Sequence, residues 1–158
     1  MNLRIIKESD NKTLANILRK SLEEFNIPKE GTVYTDPATD NLYQLFQQPK
    51  SIYYVAEEGE TILGGCGIYP TEALPTGHAE LVKLYLSAQS RGKGIGKMLL
   101  DKCFETALSF GYTHLYLESF PQFTKAVNMY EKAGFKKLSH PLGNSGHYAC
   151  NIWMVKEL

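Results

Sequence analysis

The sequence predicts a single α+β domain, with strand hairpins first and a β-α-β unit in the middle. Three observations carry that prediction. Apolar residues recur at a period of two in several short runs and at helical spacing in others. A glycine-rich turn, Arg91–Lys97, joins a strand-like run to a helix-like one. No repeat, low-complexity tract or long linker divides the 158 residues, a length that one core of ordinary size fills.

Leu3–Lys7 reads as the first strand. Ser9 and Asp10 are placed to cap a helix that carries Leu14, Ile17, Leu18 and Leu22 at helical spacing. Pro28–Pro37, rich in Gly, Thr, Asp and Pro, reads as a loop. A shorter helix follows over Asn41–Gln47, with Leu42, Leu45 and Phe46 inward. Ser51–Ala56 and Thr61–Tyr69 are strand-like, and Glu57-Glu-Gly-Glu60 between them is a hairpin signature. A strand over His78–Ser87 enters the glycine turn, which opens a helix from Ile95 to Phe110. Thr113–Ser119 alternates as a further strand. Gln122–Ala133 reads as a helix stopped by Gly134. Phe135–Ser139 and Tyr148–Val155 close the chain as strands around a Pro/Gly/Asn loop at 141–146.

Composition narrows the partners. Hydrophobic residues make up 43% and charged ones 22%, and 17 Lys and Arg balance 17 Asp and Glu. Zero net charge argues against nucleic acid or an anionic membrane as the main partner. Cys66, Cys103 and Cys150 are far apart and lack Cys-x-x-Cys spacing, which reads as reduced packed thiols and a cytoplasmic location. The N-terminus lacks the apolar stretch of a signal peptide, and no segment has the length of a membrane helix. His78, His114 and His140 show no metal-ligand spacing. Trp153 and Met154 read as neighbours on a strand.

In Arg91-Gly-Lys-Gly-Ile-Gly-Lys97, three glycines leave the backbone bare where a helix begins. N–H groups at a helix N-terminus form an anion site, most naturally for phosphate, and Arg91, Lys93 and Lys97 add positive charge. A Walker A loop requires glycine where Arg91 stands and Ser or Thr where Met98 stands. A dinucleotide fingerprint requires Gly or Ala where Lys97 or Leu99 stands. Both readings fail on spacing.

Arg91, Gly94 and Gly96 instead satisfy Arg/Gln-x-x-Gly-x-Gly/Ala, and Ala126-Val-Asn-Met-Tyr-Glu-Lys-Ala-Gly-Phe135 follows in the chain. In both motifs, and in their order, the chain resembles the GCN5-related N-acetyltransferase (GNAT) superfamily. The likeness is good over residues 50–157 and holds in outline before them. It implies a three-layer fold with a central mixed, mostly antiparallel sheet of about seven strands flanked by about four helices. It also implies acetyl-CoA as acetyl donor, with the pyrophosphate held by the backbone of Arg91, Gly92, Lys93, Gly94, Ile95, Gly96 and Lys97. Strands before and after the loop splay around pantetheine, which assigns the backbone of Leu84, Tyr85 and Leu86 to the acyl end. An N–H there stabilises the carbonyl oxygen, an effect typically worth ~3 kcal/mol of barrier.

Acetyl transfer to an amine needs a neutral nucleophile and a proton for the departing thiolate. Glu80 is the candidate base: it precedes Gly94 by fourteen residues, the register of the catalytic glutamate in histone-acetylating relatives. Strand parity groups it with Val82, Leu84 and Leu86; the alternative is a solvated residue at a strand start. Tyr130 occupies the family position whose hydroxyl serves as general acid, with core packing as the alternative. The family often has asparagine seven residues earlier, where this chain has Phe123. His147, and Tyr34, Thr35 and Asp36 in the first loop, are candidates for the acceptor site. Cys66 and Cys150 read as packed, since direct attack needs no covalent enzyme intermediate.

The resulting expectation is an N-acetyltransferase acting on a primary amine of a small molecule or peptide, needing no metal and able to form a homodimer. Its rivals are a non-catalytic acyl-CoA sensor and an interaction domain whose basic loop merely caps a helix.

Overall fold

The computed structural model describes residues 1–158. Its seven strands are β1 (Asn2–Ile5), β2 (Ile52–Glu58), β3 (Thr61–Tyr69), β4 (His78–Leu86), β5 (His114–Ser119), β6 (Lys136–Lys137) and β7 (Ile152–Glu157). They form one sheet in the order β1-β2-β3-β4-β5-β7-β6. Every pairing is antiparallel except β4 with β5. Four α-helices join them: α1 (Asn11–Glu24), α2 (Leu42–Leu45), α3 (Ile95–Ser109) and α4 (Thr124–Lys132). The expected fold class and element order are therefore present.

One face of the sheet packs on α3 and α4. Leu81, Leu115, Leu117 and Met154 meet Leu99, Leu100 and Val127 there in the largest apolar cluster. Across the sheet, α1 and α2 cover Tyr53, Val55 and Tyr85 with Leu14, Leu18, Leu22 and Leu42. Both layers rest on apolar burial, worth about 25 cal/mol per Å² removed from water.

Three local departures have clear causes. Asp10 lies in a 3₁₀ turn before α1 and does not cap that helix, because two hydrogen bonds of 2.8 and 2.9 Å draw its carboxylate to the Arg4 guanidinium. The final strand begins at Ile152 rather than Tyr148. The preceding segment is committed elsewhere: the Ala149 N–H donates to the Gly31 carbonyl at 3.1 Å, and the Tyr148 ring covers Gly31. Gly134 does follow α4 as expected, with φ of 102°.

The third departure rearranges the centre of the sheet. Gly65 pairs with Tyr85 but Gly67 pairs with Val82, so β4 carries one extra residue, a β-bulge. Lys83 lies in the bulge at φ 56°, a region lysine seldom adopts. The Tyr53 hydroxyl donates to the Lys83 carbonyl at 2.8 Å and pins the bulge. Its ring crosses β3 over two glycines, where an added Cβ on Gly65 or Gly67 falls 2.4 or 2.7 Å from ring carbons. Strand parity is consequently broken. Glu80 and Val82 share their face with Tyr85, while Leu84 and Leu86 turn to the opposite face with Leu81.

Candidate active site

The parallel strands β4 and β5 pair only at His78–His114, Ala79–Leu115 and Glu80–Tyr116. Beyond Glu80 they separate: β4 continues to Leu86 beside β3, and β5 continues to Ser119 beside β7. The opening between them is a cleft that reaches from one face of the sheet to the other. Leu22, Val33 and Phe120 line its side under α1, and Ala126 and Tyr130 line its side under α4. A gap in the sheet thus lets groups from opposite faces serve one space.

The glycine loop follows the end of β4, the strand that lines the cleft as far as Tyr85. Gly92 and Gly94 have φ of 76° and 78°, and an added Cβ at either touches nothing within 4 Å. Backbone conformation, rather than crowding, requires glycine at both. The first intrahelical bond of α3 runs from the Met98 N–H to the Gly94 carbonyl at 3.2 Å. Every N–H from Gly92 through Lys97 is left without a backbone or side-chain acceptor, a run of donors suited to an anion.

The loop's three basic residues are used differently. The Arg91 guanidinium donates to Glu24 Oε2 at 2.7 Å, and to Ser21 Oγ and the Leu86 carbonyl, each at 3.2 Å. It also covers the Phe25 ring at 5.1 Å, so its side chain ties the loop to α1. Lys97 pairs with Asp101 on the α3 surface, and Lys93 is exposed.

Glu80 is buried on the α1 face, where its Oε1 accepts a 2.6 Å hydrogen bond from Thr71 Oγ1. Burial raises its pKa to about 7, Thr71 opposes that rise, and the nearby Glu118 charge adds to it. Glu118 accepts from the Tyr116 hydroxyl at 2.6 Å and from the Ser145 hydroxyl. Tyr116 in turn accepts the Leu142 N–H at 3.1 Å, which fixes the 141–147 loop over the cleft.

Tyr130 reaches the cleft from α4 on the opposite face. Its ring packs edge-on against Phe135 at 5.8 Å, and its hydroxyl has no hydrogen-bond partner in the chain. Burial raises the phenol's pKa, so it stays protonated at neutral pH. Leu84 and Tyr85 also line the cleft, as does Phe123, whose ring stands edge-on to Tyr85 at 6.2 Å. Leu86 lies at the end of β4, its carbonyl taken by Arg91.

The two acceptor-side loops meet each other. His147 Nε2 lies 2.8 Å from Asp36 Oδ2, and this contact, helped by the Ala38 N–H and the Lys83 charge, keeps the Asp36 carboxyl below the usual range despite burial. His147 lines the cleft, but Tyr34 and Thr35 do not. The Tyr34 hydroxyl donates to Glu23 beneath a Lys29 ammonium 4.8 Å from the ring, and Thr35 Oγ1 turns to the Lys29 carbonyl at 3.3 Å. From that loop Thr32 and Val33 face inward instead.

Two lining residues went unforeseen, Lys83 and Glu118, as did Thr71 and Ser145, which hydrogen-bond to Glu80 and Glu118. Glu118 was readable in principle, because the parallel pair Glu80–Tyr116 puts it one alternation beyond a partner of Glu80. Cys150 also lines the cleft, its thiol pushed up to about 12 by burial. Cys66 of β3 and Cys103 of α3 are buried in the core between sheet and helix. His78 and His114 stack at 4.3 Å where β4 and β5 still pair. No group of three His, Cys, Asp or Glu side chains converges, and no helix is long and apolar enough to cross a membrane.

Comparison with known proteins gives a consistent result. Residues 14–135 match the model of the acetyltransferase (GNAT) family. The chain is 33% identical over 157 residues to YjgM, an uncharacterized N-acetyltransferase of Escherichia coli K12, covering 99% of this chain and 94% of that protein. Among solved structures, it superposes with TM-score 0.82 on a GNAT-family acetyltransferase of Staphylococcus aureus Mu50, at 21% identity over 99% of this chain and 98% of that one. The PaiA N-acetyltransferase of Thermoplasma acidophilum, solved with coenzyme A, matches with TM-score 0.74 at 21% identity over the full length of both chains.

Proposed function

Because the chain belongs to the GNAT family of acetyltransferases, we propose that it moves acetyl from acetyl-CoA to a primary amine of a small molecule or peptide by direct attack. The observation that carries this reading is the shared cleft, which an acid and a base enter from opposite faces of the sheet, with a bare helix N-terminus following the strand that lines it. Neither rival accounts for the pair. A sensor has no use for a glutamate at pKa about 7 opposite a protonated phenol.

Acetyl-CoA supplies the activated acetyl thioester. The N–H groups of Gly92–Lys97 fit its pyrophosphate, since each is a free donor. The β4 stretch after Glu80 has no partner on its β5 side, and its edge N–H groups supply donors for the thioester oxygen. Glu80 takes the proton of the attacking ammonium, directly or through water. As the neutral amine forms the C–N bond and the C–S bond breaks, Tyr130 gives its proton to the sulfur, and the second proton leaving the nitrogen returns to the Tyr130 oxygen.

Two measurements test this. Acetyl-CoA is expected to bind in calorimetry and to release free thiol in the presence of a suitable amine from a broad panel. Gly94→Ala puts a Cβ into left-handed backbone, a conformation that costs non-glycine residues roughly 1–2 kcal/mol. Relaxation of the free loop out of that conformation, easy because the added methyl meets no neighbour, is expected to spare most of Tm and to weaken acetyl-CoA binding about 10-fold. Unchanged affinity in this variant removes the loop from the proposal.

A further inference from the structure

Lys83 has no assigned part in that chemistry, yet the fold goes to some length to place it. Its backbone occupies a strained conformation at φ 56°, held by the Tyr53 hydroxyl, and its side chain lines the cleft. Strain kept at a cleft is a pointer to function.

Charge accounting sharpens the pointer. Two carboxylates, Asp36 and Glu80, act on Lys83, and Glu118 acts on Glu80; each of the three has its own hydrogen-bond donor. Asp36 has His147 and the Ala38 N–H, Glu80 has Thr71, and Glu118 has Tyr116 and Ser145. The Lys83 ammonium has no hydrogen-bond or ion-pair partner; burial pushes its pKa down, and Asp36 and Glu80 oppose that only from a distance. A half-buried cation in that position is completed by an anion from outside the chain. The cleft wall under α1 also carries an apolar patch, Leu22, Val33, Phe120 and Phe123, beside Thr32.

Resting on the acetyl-transfer reading of the cleft, we propose that the acceptor is a free α-amino acid with an apolar side chain, its carboxylate held by Lys83. Its ammonium then faces Glu80 and its side chain packs on the apolar wall. Both charges of the zwitterion and its apolar part each meet a complement. A simple amine leaves Lys83 unpaired, and sites built to pair a polar group discriminate strongly against ligands that lack it.

The test uses leucine and phenylalanine beside their decarboxylated amines, 3-methylbutylamine and 2-phenylethylamine. Thiol release from acetyl-CoA is measured for each, and calorimetric binding of each to CoA-saturated protein is measured independently of turnover. The amino acids are expected to exceed the amines by about 10-fold or more in kcat/KM and in affinity. Lys83→Met, which keeps the aliphatic stem, is expected to abolish the preference, and Lys83→Arg to retain part of it. Lys83→Gln serves as a second neutral variant, with Tm confirming that each is folded. Equal use and binding of amine and amino acid, binding of neither, or a preference that survives Lys83→Met overturns the proposal. Carboxylate-dependent binding with no turnover of any amine supports the Lys83 assignment and defeats acetyl transfer instead.

Discussion

Glu80→Gln is expected to remove the acidic limb of the pH–rate profile and to lower kcat/KM about 100-fold or more near neutrality, the usual scale of a lost general base. Burial holds the Glu80 carboxyl at about pKa 7. In the parent protein kcat/KM should therefore rise tenfold per pH unit below 7 and level off above it. A variant profile with the same acidic limb removes Glu80 as the base.

The same substitution has a stability signature of known sign. The folded-state pKa of about 7 exceeds the ordinary value of 4.5, so the folded chain binds the extra proton and ionisation above that range works against folding. Stability from this group is complete below about pH 4.5 and is lost as pH rises through 7. Glu80→Gln is accordingly expected to raise stability at pH 8 by up to roughly 3 kcal/mol and to leave it unchanged at pH 4. Denaturant titrations at the two pH values distinguish this from a merely structural role, in which the variant destabilises at both.

Tyr130→Phe is expected to lower kcat about 100-fold while acetyl-CoA affinity and Tm stay near the parent values. The hydroxyl has no hydrogen-bond partner in the chain, so its loss strands no buried group, and the ring's packing on Phe135 survives. Single-turnover kinetics with a good acceptor, alongside calorimetry, separate chemistry from binding. An unchanged kcat takes Tyr130 out of the mechanism.

Local pattern made the strands, the helices and the glycine loop legible. Period-two and helical runs depend on nearby residues, and the positive φ of Gly92 and Gly94 is what glycine at a helix start signals. Long-range competition was not legible. The Arg91 side chain reads only as positive charge on the glycine turn, and nothing local announces that α1 brings Glu24 and Ser21 to its guanidinium. Tyr34 reads as a cleft residue until α1 offers it Glu23. The bulge at Lys83 was hidden in a run that alternates plausibly in either register. Its one trace lay across the hairpin, in Gly64-Gly-Cys-Gly67, where the absence of side chains admits the Tyr53 ring.

The short pairing of β4 with β5 also bears on how the chain unfolds. With only His78–Glu80 and His114–Tyr116 bridging them, the β1–β4 and β5–β7 halves of the sheet have the makings of two cooperative units, opening at different free energies. On the proposed reading, a donor molecule in the gap would stand in for the missing strand pairing and weld the units together. Amide exchange along 81–86 should then slow when CoA is added, so that the protein becomes one unfolding unit only when it is loaded for its reaction.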